Sequence, residues 1–247
     1  MKNLTLLIAA LLLAGQTFAQ SGLELTAGYT PGISFILNDD DFAAGEQLNY
    51  QVTYGSHVGL TLGYNFSEKV GVTTGFGLSS INQNYVTDYD NRTRDEQDMA
   101  NRRLTYIRIP LMIRLGGDPT APTSAFFRFG PHLDFLAGAT GYQDVNIGIT
   151  RLTNTDNYRN YRTLFSTDDE DIFSNMVVGL TMEVGGRIRI SDVMGVLLLF
   201  HLESSLTNPE GEDAWKIFES NSAQERAQSW SVMPGINVSF QYVLSFN

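Results

Sequence analysis

Two pairs of residues in this 247-residue chain have the types and spacing for proton chemistry: His201 with Glu203, and His132 with Asp134, each two apart. On a strand, residues two apart share a face, so each imidazole would lie beside a carboxylate. Such a pair can take and give a proton, and with a serine nucleophile it could cut or transfer lipid acyl chains. That chemistry needs the set open to lipid or to a rim. No serine sits two positions from His57, His132 or His201, so the histidines read as members of internal polar networks. Asp39-Asp40-Asp41 and Asp168-Asp169-Glu170-Asp171 are oxygen-rich in the way calcium and magnesium favour. Neither run has the spacing of a calcium loop, and both read as solvated. No residue is assigned to catalysis, to a cofactor or to a metal.

The elements that hold these residues have period two. From Trp230 to Asn247, apolar or aromatic residues occupy the even positions from Trp230 through Pro234 and Phe240 to Phe246. Small or polar residues fill the odd ones, with only Met233 and Val243 breaking the rule. One oily and one polar face over about 17 residues is long for a soluble strand and suits a tilted strand that crosses a bilayer. The same parity runs through Leu23 to Leu37, Val58 to Phe66, Val70 to Ser80, Tyr106 to Leu115, Ala125 to Leu136, Met176 to Ile190 and Met194 to Glu203. Eight strands result.

The connectors alternate too. Those at 67–69, 116–123 and 191–193 are short, and those near 38–49, 82–103, 139–172 and 205–229 are long. The expected fold class is all-β, an eight-stranded antiparallel up-and-down transmembrane barrel with short turns at one rim and long loops at the other. In a soluble lipocalin-like barrel the oily face would turn inward around a ligand. Three features favour the oily face outward. The polar face is rich in glycine and poor in charge, the strands contain no lysine, and aromatics such as Tyr64, Phe66, Phe127, Phe129, Trp230 and Tyr242 collect near strand ends.

The N-terminus reads as a secretory signal, with Lys2, an apolar run from Leu4 to Ala14 and a small-x-small site at Thr17-Phe18-Ala19. Cleavage is expected after Ala19, which leaves 20–247 as one barrel domain of about 230 residues. Zero cysteines exclude a disulfide scaffold, a thiolate metal site and a cysteine nucleophile. The expected location is the bacterial outer membrane, integral, with both termini in the periplasm.

Leu104 to Leu115, LTYIRIPLMIRL, resembles the PorT-like family of small bacterial outer-membrane β-barrels. Gly71 to Ser80 (GVTTGFGLSS) and Phe127 to Gly138 (FRFGPHLDFLAG) are similar to that family's strands. Members often carry Glu before Ile-Pro, where this chain has Arg108. The resemblance implies an outer-membrane location and, for a few members, a part in a protein-secretion machine.

By parity the interior holds Arg108, Arg114, Arg128, Arg187 and Arg189 against Glu24, Asp134, Glu183 and Glu203. The short turn at 191–193 should place Glu183 across from His201, and the preceding hairpin should place Arg108 across from His132 beside Asp134. Two buried clusters are expected, forming a plug, which argues against a general diffusion porin. The long connectors hold 20 acids against 9 Lys and Arg, the whole net charge of −11. This repels nucleic acid and leaves outer-membrane lipid and lipopolysaccharide, through bridging divalent ions, and other envelope or secretion proteins as the expected partners. Tyrosines and asparagines in the third long loop, residues 143–163, have the mix that binding surfaces use. The role that fits best is structural or interaction. A narrow channel for small solutes comes second and a lipid-modifying barrel enzyme third.

Overall fold

The computed structural model describes residues 22–43, 49–67, 69–87, 98–117, 121–147, 150–152, 159–160, 173–211 and 227–245. The expected signal at 1–19, Asp168 to Asp171, Phe246 and most of residues 143–163 lie outside these.

Eight long strands form the wall: β1 (Gly22–Asn38), β2 (Thr53–Asn65), β3 (Val70–Thr87), β4 (Asp98–Gly116), β5 (Thr123–Ile147), β6 (Met176–Arg189), β7 (Met194–Ser205) and β8 (Ser229–Ser245). Each is antiparallel to its sequence neighbours. The ring closes where β1 pairs β8, Leu25 beside Tyr242 and Phe35 beside Val232. Closure leaves the wall without a free edge in the spanning zone, which hydrocarbon demands because it supplies no hydrogen-bond partner.

The faces sort as the alternation expects, with the oily one outward. Leu62, Phe76, Leu111, Val184, Leu198 and Phe240 are exposed around the ring. A continuous apolar belt of this kind is foreign to a water-facing surface and suits acyl chains, so the lipocalin-like arrangement is inverted here. Among the described residues no helix is long and apolar enough to cross a membrane; the strands are the crossing elements.

Three strands run well into connectors expected as loops: β3 continues to Thr87, β4 starts at Asp98 and β5 reaches Ile147. Along β3 the period of two persists, since Ile81, Gln83 and Tyr85 are buried. The outward residues there, Asn82 and Asn84, are polar, because a strand that has left the bilayer no longer needs an oily outer face. Short strands at Asn49–Gln51, Thr150–Leu152 and Arg159–Asn160 add to the long-loop side. A bulge opposite Thr105 and Tyr106 leaves Ala137 unpaired, because Thr105 faces Gly138 and Tyr106 faces Leu136. The extra residue switches the inward parity of β5, so that Leu136 and Ala139 both point into the barrel.

The short turn between β4 and β5 uses Gly116 and Gly117, with φ of 80° and 81°, a conformation that favours residues without a Cβ. Pairing resumes only at Phe126, opposite Gly116. This late start moves the register by two residues from the expected one. Arg108 lies across from Asp134 and His132 across from Pro110.

Candidate functional site

The interior is layered, and β4 samples every layer. From the long-loop rim downward its inward residues are Arg102, Leu104, Tyr106, Arg108, Pro110, Met112 and Arg114, all buried.

Around Arg102, residues from two connectors are drawn into the mouth. Arg102 Nη1 donates to Glu210 Oε1, and the guanidinium sits 5.1 Å from the centre of the Tyr85 ring. Asn38 donates to Ser229 Oγ at 2.8 Å and to the Ala227 carbonyl at 2.7 Å. Asp39–Ala43 forms a single helical turn. Within it the buried Asp41 accepts from Tyr85 at 2.8 Å and from Tyr50 at 3.4 Å. Asp40 accepts from the Ala227 backbone N–H at 2.6 Å. Two of the three aspartates are thus engaged by protein donors. Tyr50, on its short strand at the rim, has its hydroxyl pushed up to about 12, first by burial and then by the Asp41 carboxylate beside it.

Directly beneath is an apolar layer of Ile36, Ile81, Leu104, Tyr106, Leu136, Ala139, Phe173 and Val177. Phe173 comes from outside the wall strands and pairs by an isolated bridge with Glu210. Ser174 Oγ donates to the carbonyl of Asn208 at 2.8 Å. Two long connectors are thereby pinned to each other and into the barrel.

The next layer holds the histidine and carboxylate pairs. The turn at 190–193 sets β6 against β7 with Glu183 facing His201, as expected. His201 contacts Glu183 at 3.0 Å through Nδ1 and Glu203 at 2.9 Å through Nε2. Arg128 reaches Glu183 at 2.6 Å. Arg108 grips Asp134 with two bonds, of 2.7 and 2.6 Å, and donates to Glu203 with its remaining nitrogen. His132 lies 3.4 Å from Asp134 and 2.8 Å from Thr181 Oγ1. The two expected clusters are therefore one network, because Arg108 spans them. The wall makes room with glycine: a Cβ on Gly179 would lie 2.2 Å from His132 Nε2, and one on Gly77 would lie 2.6 Å from His57 Cε1.

Lower down, Phe126, Leu197 and Leu199 pack together. At the short-turn end Glu24 accepts from Asn65 at 2.6 Å and Gln241 at 2.8 Å, with Arg114 3.7 Å away.

Several placements differ from the sequence reading. Arg189 has the inward parity but ends β6 at the rim, where it pairs with Asp192 in the next turn instead of lying in the lumen. Arg102, Asp41 and Glu210, assigned to loops, are buried interior charges. His57 lies parallel to His201, ring centres 6.3 Å apart. Ser79 faces His57 across β2 and β3. A cross-strand neighbour of this kind escapes a search along a single strand. Its hydroxyl donates to Glu203 at 3.3 Å, whereas a nucleophile would hand its proton to an imidazole. The set is buried inside the ring and resembles an ion-pair network more than a hydrolytic triad.

Among solved structures the barrel is similar to the outer membrane protein OprG of Pseudomonas aeruginosa, at 14% identity and a TM-score of 0.41 over 92% of this chain and 98% of that one. It is also similar to Neisserial surface protein A, at 10%, 0.40, 92% and 99%. A further likeness is to Ail of Yersinia pestis, solved with the heparin analogue sucrose octasulfate, at 10%, 0.39, 92% and 100%. Nothing about this chain's task follows from likenesses of this size. No curated protein matches the sequence. The model of the outer membrane protein β-barrel domain family matches residues 18–247, and with an apolar belt around a closed eight-stranded ring the chain belongs to that family, an integral protein of the outer membrane.

Proposed function

We propose that this protein is a closed structural anchor of the outer membrane that presents its acidic long loops outside the cell, rather than a channel or an enzyme. The observation that carries the reading is the stacking of side chains across the interior: the Arg102 and Glu210 cap, the apolar layer around Phe173, and the network around Arg108. A solute passing through would have to break buried ion pairs, each costing several kcal/mol once one partner is left alone. Ser79 and the three histidines serve that network and catalyse nothing.

In this reading residues 1–19 are a signal removed on export, both termini face the periplasm, and the short turns do too. The resemblance of Leu104 to Leu115 to the PorT-like family supports a place in an envelope or protein-secretion assembly. A loop net charge of −11 favours partners with basic surfaces, and lipopolysaccharide reached through divalent ions. Extraction of a tagged barrel in mild detergent tests the assembly role: stoichiometric envelope components support it, and a barrel that emerges alone removes it and leaves an autonomous anchor. Rapid release of small sugars from liposomes containing the pure barrel would remove the anchor reading itself.

A further inference from the structure

At mid-height, beside the charge network, the interior keeps a cavity of about 30 Å³. His57, Thr61, Arg108, Arg128, Glu183 and His201 are among its lining residues. Three of these carry buried polar atoms with no protein partner: His57 Nδ1, Thr61 Oγ1 and Arg128 Nε. Orphaned groups of this kind are costly, and native interiors satisfy them with protein or with ordered water. A polar cavity of this size has room for one or two water molecules, and a water needs two to four polar partners. Charge selects the same occupant. Arg108 and Arg128 oppose a cation, and Glu183, already in contact with Arg128 at 2.6 Å, opposes an anion. What remains is a small neutral molecule able both to donate and to accept.

We propose that this cavity is a resident water site, in which water bridges His57 Nδ1 and Thr61 Oγ1 of β2 to Arg128 Nε of β5. The bound water completes the polar layer and ties β2, which contributes no carboxylate to the network, to the opposite wall. The site is independent of whether the barrel conducts.

Ring-¹⁵N histidine NMR of the refolded wild-type barrel tests this, together with a crystal structure at a resolution that shows ordered water. The expected result is a water cross-peak on His57 and density within hydrogen-bond distance of His57 Nδ1 and Thr61 Oγ1. Thr61→Val, which keeps the volume and loses the hydroxyl, should weaken that cross-peak at least severalfold, and Thr61→Ser should retain it. An empty cavity in the wild-type protein, or no exchange between water and His57, would overturn the proposal without any variant having to fold. So would an anomalous peak in the cavity after a bromide soak, which would make it an anion site.

Discussion

Arg102 of β4 and Glu210, 108 residues apart in sequence, form a buried ion pair that pulls the connector after β7 into the mouth of the barrel. Both side chains are almost wholly removed from water, so the pair is worth more as a constraint than as net stability. Glu210→Ala leaves the guanidinium without that carboxylate, though Tyr85 still stacks on it. We expect a loss near the lower end of the about 3–5 kcal/mol typical of breaking one side of a buried pair, read from urea unfolding in detergent. Replacing both residues by Met should recover most of it.

The glycine beside His132 gives a sharper steric test. A Cβ at Gly179 would come within 2.6 Å of the Ser204 carbonyl as well as 2.2 Å from the imidazole, whereas one at Gly138 meets nothing closer than 3.9 Å. Gly179→Ala should cost about 1–3 kcal/mol by overpacking, and Gly138→Ala should be nearly neutral or slightly stabilising. Equal unfolding midpoints for the two variants would show that the wall yields more easily than the backbone contacts allow.

Phe173 is 1% exposed in the apolar layer although it belongs to no wall strand. Phe173→Ala should cost about 3–5 kcal/mol and loosen the connector it anchors. Limited proteolysis would report the loosening as faster cleavage within 139–172 while the heat-modifiable barrel band persists.

Tyr50 links the cap to pH. Its hydroxyl is pushed up to about 12, mainly by burial, from an ordinary value near 10. A group whose folded value is raised contributes stability that is complete below its unfolded value and is lost as pH rises through the folded one. The cap should therefore hold at pH 9 and loosen between about 10 and 12. Ultraviolet titration at the tyrosinate band, compared with Tyr50→Phe, should show one late-titrating tyrosine missing in the variant.

The spanning strands were legible because hydrocarbon enforces parity: Phe240 out and Gln241 in is a choice the bilayer makes at every step. Short turns carried that legibility into the interior, and Glu183 opposite His201 follows from a four-residue connection. Where the turn was longer, the pairing of Arg108 came out two residues from expectation. The cap was illegible for a different reason. Arg102 and Glu210 lie beyond the bilayer, where an inward charge and a solvated loop charge look alike in sequence. His57 and Ser79 became neighbours only through the pairing of β2 with β3.

The central claim is that the layers across the interior leave no conducting path, and single-channel recording tests it most directly. Purified barrel reconstituted into planar bilayers should give a flat trace in 1 M KCl across both voltage polarities. Reproducible stepwise currents from the wild-type protein, absent from boiled samples, would contradict the closed-anchor account and favour the narrow channel in its place.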